Sequence, residues 1–258
     1  MPPTALAYYR PKGYNALCMR TLAINTASRL ESVAVLGEHG VLAEHSWEGN
    51  RNETEKLLPV VVALLKKTRT PLAKIDRIIV VRGPGPFSAT RVGVTVANLL
   101  HYTTPRAALF SIDIESLWRL RLSPALQKKN PILLIHAGGN FVARSGGGRS
   151  GEERSGGEPT GRESSGDALP KGIFSIEVAL ELPRVFQSSP LVFFGDLTDN
   201  ERKVFRKAKK KPWRFLTERP LFSFSEALHN APVHAFTAES VVAPLYWKPP
   251  LITPALHV

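Results

Sequence analysis

The chain has 258 residues, 43% of them hydrophobic, with one cysteine and a formal net charge of +12. That is enough apolar material for one large or two modest cores, and a lone thiol excludes an internal disulfide framework. No stretch approaches the roughly 20 uncharged residues of a membrane helix, while the positive balance permits attraction to nucleic acid or acidic surfaces.

Residues 1–18 carry Pro2, Pro3, Arg10, Pro11 and Lys12 without the apolar centre of a secretory signal. A disordered extension or upstream read-through is expected there, with Met19 an alternative start. Residues 21–26, 32–36 and 41–46 then predict three short strands in a meander. Asn52, followed three residues later by Glu55, has the pattern of a capping box, and the helix it opens runs to Leu65 with Pro59 inside it. Leu57, Leu58, Val60, Val61, Val62, Leu64 and Leu65 spread over several faces of that helix. Such a helix must be covered on more than one side, either within its own domain or by a partner.

Ile78 to Val81 form a β-branched run that enters Arg82-Gly83-Pro84-Gly85-Pro86-Phe87 and leaves into a second helix from Ala89 to Leu100. Strand, tight loop and helix follow in order. A loop of this kind can offer backbone N–H groups to an anion or nucleotide, or serve as a structural turn. The glycine spacing matches neither the dinucleotide fingerprint nor the P-loop. Along the helix, Ala89, Gly93 and Ala97 recur every fourth residue and form one face of small side chains, while Val92, Val96, Leu99 and Leu100 take another side.

Residues 107–112 predict a further strand and 115–122 a helix in which Trp118 packs. A second lobe is expected from residue 111. In it, 131–136 form a buried strand, Gly138-Gly139 a turn, and 140–143 the start of the return. His136 is either an acid–base candidate or a structural histidine, with no serine, cysteine or paired carboxylate beside it in sequence. Residues 145–168 are rich in glycine, serine and mixed charge without large apolar residues, so a flexible insertion is expected. Residues 171–180, 191–194 and 213–216 predict strands, 223–228 a short helix, and 239–245 a terminal helical or extended element. The run Arg202, Lys203, Arg206, Lys207, Lys209, Lys210, Lys211 and Arg214 is a solvated charge run or a phosphate contact.

Four stretches carry a resemblance: Thr21 to Ala27, Glu53 to Leu65 with Leu57-Leu58-Pro59, Arg82 to Gly93, and Pro244-Leu245-Tyr246 followed by Pro249. In this order they resemble the bacterial dimerization subunit of the tRNA N6-threonylcarbamoyladenosine synthase complex, a degenerate glycoprotease-like family. The match is dense over residues 20–112 and thinner beyond.

The resemblance implies an α/β, actin-like or sugar-kinase-like two-lobed fold with ribonuclease H-like mixed sheets. It divides the chain into an extension at 1–18, a first lobe at 19–110 and a second at 111–258. It further implies a noncatalytic, cytoplasmic assembly subunit supporting modification of adenosine 37 in tRNAs that read ANN codons. The implied partners are the threonylcarbamoyl-transferring subunit, a complex-associated ATPase, a second copy of the chain when the transferring subunit is absent, and tRNA mainly through the complex. No cofactor or metal is implied, and Asn25, Gly83 and Gly85 would line a degenerate nucleotide pocket. The family's dimerization surface maps onto the two apolar helices, through Leu57, Val61, Leu64, Ala89, Gly93, Ala97 and Leu100.

Two departures bear on catalysis. Active relatives commonly have an aspartate where this chain has Asn25, and a neutral amide is a poorer ligand for a hard cation. The transferring subunit carries a histidine pair after its second helix, whereas no histidine occurs here from Tyr102 through Ile135 and His101 stands alone. An active nucleotide-dependent enzyme and a basic RNA-binding accessory protein are the alternatives.

Overall fold

The computed structural model describes residues 19–128, 131–136, 141–145, 172–175, 191–207, 213–215 and 221–246. The expectations for residues 1–18 and for the body of the insertion at 145–168 lie outside them. The chain divides into two compact units, one made of residues 1–123 and 220–258, the other of 124–219.

The first unit is built on a six-stranded sheet of β1 (Thr21–Asn25), β2 (Leu30–Gly37), β3 (Gly40–Glu48), β4 (Arg77–Val81), β5 (Ala108–Ile112) and β11 (Thr237–Glu239). Their order is β11-β5-β4-β1-β2-β3. The first three strands form the expected meander, antiparallel throughout, and β1–β4 and β4–β5 are parallel. β1 and β4 are buried at every residue because they lie in the middle of the sheet, which is why Thr21-Leu-Ala-Ile-Asn25 and Arg77-Ile-Ile-Val-Val81 show no polar alternation.

Two helices, α1 (Glu53–Lys67) and α2 (Phe87–Thr103), cover one face of this sheet. Leu22 and Ile24 of β1, Val33 and Val35 of β2, and Ile78 and Val80 of β4 form one core with Leu57, Val61 and Leu64 of α1 and Val94, Ala97 and Leu100 of α2. Glu53 and Glu55 in the first turn of α1, and Lys66 and Lys67 in its last, complement the helix dipole. The capping box expected at Asn52 does not form. Asn52 makes no side-chain cap, its Oδ1 is buried without a partner, and the Asn52 carbonyl accepts from the Glu55 and Lys56 amides instead.

α3 (Ile114–Leu120) is capped by Asp113, which accepts from the Ser116 amide at 2.8 Å. α6 (Phe224–His229) carries a complete capping box between Ser223 and Glu226. It is tied to β3 by Ser225, whose amide and hydroxyl both donate to Glu44.

Residues 220–246 therefore belong with the first unit, where the sequence placed them in the second lobe. Three connections draw them back. β11 pairs antiparallel with β5, Leu122 bridges Leu221, and the Phe222 amide donates to the Arg121 carbonyl at 2.8 Å.

The second unit contains α4 (Pro124–Gln127), α5 (Asp199–Lys207) and a sheet ordered β10-β9-β6-β7-β8. Its strands are β6 (Ile132–His136), β7 (Phe141–Ser145), β8 (Gly172–Ser175), β9 (Leu191–Asp196) and β10 (Trp213–Phe215). β6 runs parallel to β9 and antiparallel to β7, and the Ile132 to Ile135 run and Phe193-Phe194 are buried. The first half of the basic run is helix α5, an element the sequence reading did not expect. His136 ends β6. Among the described residues no group of histidine, cysteine or carboxylate side chains could hold a metal ion.

Candidate functional site

The loop between β4 and α2 packs against its own chain. Asn25 folds over the β1–β2 turn, accepting from the Ala27 amide at 3.1 Å and donating to Ser28 Oγ at 3.1 Å. That turn lies so close to the loop that a Cβ at Gly85 would overlap the Ala27 carbonyl. Gly83, with φ +106°, faces the Leu245 carbonyl in the same way, and the Leu245 amide donates to the Arg82 carbonyl at 2.7 Å. The loop thus joins Gly83 and Gly85 to the Asn25 turn and to the Pro244-Leu245-Tyr246 segment. Close backbone approach accounts for both glycines without a phosphate. Tyr246 lies on Phe87, ring centroids 4.8 Å apart, and the Arg91 guanidinium sits 5.2 Å above the Phe87 ring.

The small face of α2 also has an internal cause. Thr26 donates to the Ala89 carbonyl at 2.7 Å, and a Cβ at Gly93 would collide with Thr26 Oγ1. Ala89 and Gly93 are small because α2 passes Thr26, just beyond β1, there.

The seven residues expected at the partner interface are buried within the chain itself. Leu57, Val61 and Ala97 are 1%, 2% and 0% exposed, and Leu64, Ala89, Gly93 and Leu100 are buried with them. Leu57, Val61, Leu64, Ala97 and Leu100 belong to the core shared with the sheet, and Ala89 and Gly93 lie against Thr26. The outward faces of the same helices carry other apolar residues: Leu58 and Val62 on α1, and Leu99 and Tyr102 on α2, with Val62 at 62%, Leu99 at 52% and Tyr102 at 83% exposure. Between the helices runs a groove of about 290 Å³ lined by Glu53, Thr54, Leu57 and Leu58 on one side and Arg91, Val92, Thr95 and Val96 on the other. Leu57 alone of the seven reaches it.

Glu53, which lines the groove, interacts with a second buried carboxyl, Glu31, that the sequence reading missed. Glu31, on β2 opposite Trp47, is 1% exposed, and Glu53, the first residue of α1, is 7% exposed. Burial first, and then the Glu53 carboxylate beside it, push the Glu31 carboxyl up to about 8; the Trp47 indole and the Lys56 charge act the other way. Glu31 is therefore the protonated partner at neutral pH. The signal was present in the strand's alternation, since Glu31 shares its face with Val33 and Val35, which point at α1 and α2. His101, by contrast, is a structural residue, its Nδ1 within 2.8 Å of the Ala107 carbonyl.

Comparison with known proteins places this geometry. The family model described as TsaD, tRNA N6-adenosine threonylcarbamoyltransferase, matches residues 40–218. The chain belongs to this family. Similar curated members carry a different name: the tRNA threonylcarbamoyladenosine biosynthesis protein TsaB of Bacillus subtilis is 31% identical over 97 residues, 37% of this chain and 42% of that protein. TsaB of Escherichia coli is 37% identical over 80 residues, 31% of this chain and 34% of that protein. The chain thus spans less than half the length of either curated relative.

Among solved structures, an uncharacterized Pseudomonas aeruginosa protein with similarity to the peptidase YEAZ superposes with a TM-score of 0.60 at 18% identity, covering 89% of this chain and 100% of that one. YeaZ from Pseudomonas aeruginosa gives 0.54 at 20% identity, over 88% and 99%. These likenesses establish the expected actin-like, ribonuclease H-like fold.

Proposed function

We propose that this chain is a noncatalytic assembly subunit in tRNA threonylcarbamoyladenosine synthesis, holding the threonylcarbamoyl-transferring subunit through the outward faces of α1 and α2. The observation that carries this reading is the apolar surface of Leu58, Val62, Leu99 and Tyr102, set beside a groove on two helices whose inner faces already complete a core. Exposed apolar side chains contiguous across two elements mark a protein-docking site. The names of the TsaB relatives supply the process, and the close backbone packing around Gly83 and Gly85 supports a structural loop rather than a catalytic one. The complex-associated ATPase and tRNA would then meet this chain through the assembly, and a second copy would use the same face when the transferring subunit is absent.

The test is co-expression with the transferring subunit of the same organism, followed by a mass measurement and a transfer assay. Wild type should form a heteromer, and turnover should require the transferring subunit. Leu99→Arg places a charge in the middle of the buried seam and should lower affinity at least a hundredfold, roughly 3 kcal/mol, with an unchanged melt. A heteromer as tight as wild type, or transfer by this chain alone, would refute the reading.

A further inference from the structure

The end of α1 and its connection to β4 are one-sided in charge. No acidic residue occurs from Lys56 through Ile75, a stretch that holds Lys66, Lys67, Arg69 and Lys74. All four are exposed, and none forms an ion pair among the described residues. The next carboxylate in the chain, Asp76, is buried and already holds Arg106 at 2.9 Å and the Arg20 amide at 2.8 Å. Lys66 and Lys67 complement the C-terminal end of the α1 dipole, which accounts for two of the four charges.

Arg69 is where that account fails. Its amide donates to the Lys66 carbonyl at 3.1 Å, and the Thr70 amide donates to the Leu65 carbonyl at 2.9 Å, the two bonds of a Schellman close. The motif sets Arg69 at φ 50°, a left-handed position that glycine fills at lower cost. An arginine held there brings a charge that the turn does not need.

We propose that Lys66, Lys67, Arg69 and Lys74 form a phosphate-binding rim that touches the backbone of the tRNA on which the assembly acts. Leu58, Val62 and Lys66 are four apart and make one row along α1, so the apolar docking face runs into the cations. A partner seated on Leu58 and Val62 leaves the rim at the edge of the seam, within reach of RNA that the partner carries. Closely spaced cations without a neighbouring carboxylate match a run of phosphates, whose counter-ions they release. Residues 66–74 contain no aromatic side chain to stack on a base, so the contact positions RNA without reading its sequence. Leu72, their one large apolar residue, is half-buried and gives no anchor for a lipid surface.

This inference rests on the reading above for the identity of its RNA, and the test keeps the two apart. Binding of tRNA is measured over a salt series for the isolated chain and for its heteromer with the transferring subunit. The chains are wild type, Lys67→Gln/Lys74→Gln, Arg69→Gly, Arg69→Lys and, as a charge-matched control on α5, Lys203→Gln/Lys207→Gln. Lys66 stays in place because it borders the docking row. Lys67→Gln/Lys74→Gln should weaken tRNA binding about tenfold or more at about 0.1 M salt and reduce the slope of log affinity against log salt by about 2, one for each lost phosphate contact. Arg69→Gly should lose affinity while its melting temperature holds or rises, and Arg69→Lys should keep most of the affinity. Heteromer formation should be unchanged throughout. No wild-type tRNA binding, rim variants within twofold of wild type, equal loss from the α5 control, or wild-type binding to anionic phospholipid vesicles as tight as to tRNA would overturn the rim. Rim-dependent tRNA binding by the isolated chain without any heteromer would uphold the rim and overturn the docking reading.

Discussion

Replacing Glu31 by glutamine removes a group whose carboxyl titrates near 8 in the folded chain and at its ordinary 4.5 once unfolded. Between those values the folded chain holds a proton at residue 31 that the unfolded chain has released. Wild-type stability from this residue is therefore complete below pH 4.5 and falls as pH rises, by about 1.4 kcal/mol per unit, until the folded carboxyl itself ionises near 8. At pH 7, which is 2.5 units above 4.5, the accumulated loss is about 3 kcal/mol. Glutamine keeps the shape and has no charge to gain on unfolding. Glu31→Gln should thus gain on wild type steadily from pH 4.5, reaching an advantage of about 3 kcal/mol at pH 7, and the gap should level off above pH 8. Urea unfolding at half-unit steps from pH 4.5 to 9 measures the difference, with the m-value as a check that the unfolded states match. Parallel stability curves for the two chains, or a gap that narrows toward pH 8, would refute the protonated carboxyl.

Ala97→Trp, placed against a fully buried alanine, should destabilise the isolated chain by at least about 3 kcal/mol or prevent folding, visible as a lost or strongly lowered thermal transition. Asn98 holds the terminal segment by donating to the Val242 carbonyl at 2.9 Å and accepting from its amide at 2.9 Å. Asn98→Ala should cost about 1–3 kcal/mol and expose residues near 242 to protease before the rest of the unit opens. A proteolysis pattern unchanged from wild type would show that the strand pairing of β11 suffices to hold this segment.

The order of elements through β5 was legible because its signals are local. Unbroken apolar runs marked the central strands, and Gly and Pro marked the loop at residues 82–86. What one sequence could not supply was the direction in which each helix points. Val61 and Val62 are neighbours of the same residue type, and only the sheet decides that one is core and the other surface. The small residues of α2 suggested a close partner, and there is one, but it is Thr26 of the same chain. α5 was hidden because a dense run of lysine and arginine reads as charge before it reads as helix. Residues 221–246 were misplaced because their attachments to β3, β5 and α2 span from 126 to 181 positions of sequence.

Those long attachments set an order on how the first unit is completed. During synthesis the ribosome delivers β1 to β5 with both helices, then all of residues 124–219, before β11 exists. Until that moment β5 is an open edge, and Ser111 and Arg82 await Glu239, which later accepts from the Ser111 hydroxyl and lies 3.5 Å from the Arg82 guanidinium. An unpaired edge beside an apolar helix pair is a template for association with the wrong chain. The closing strand thus acts as a seal applied last, and the second unit is made while the first is still unsealed.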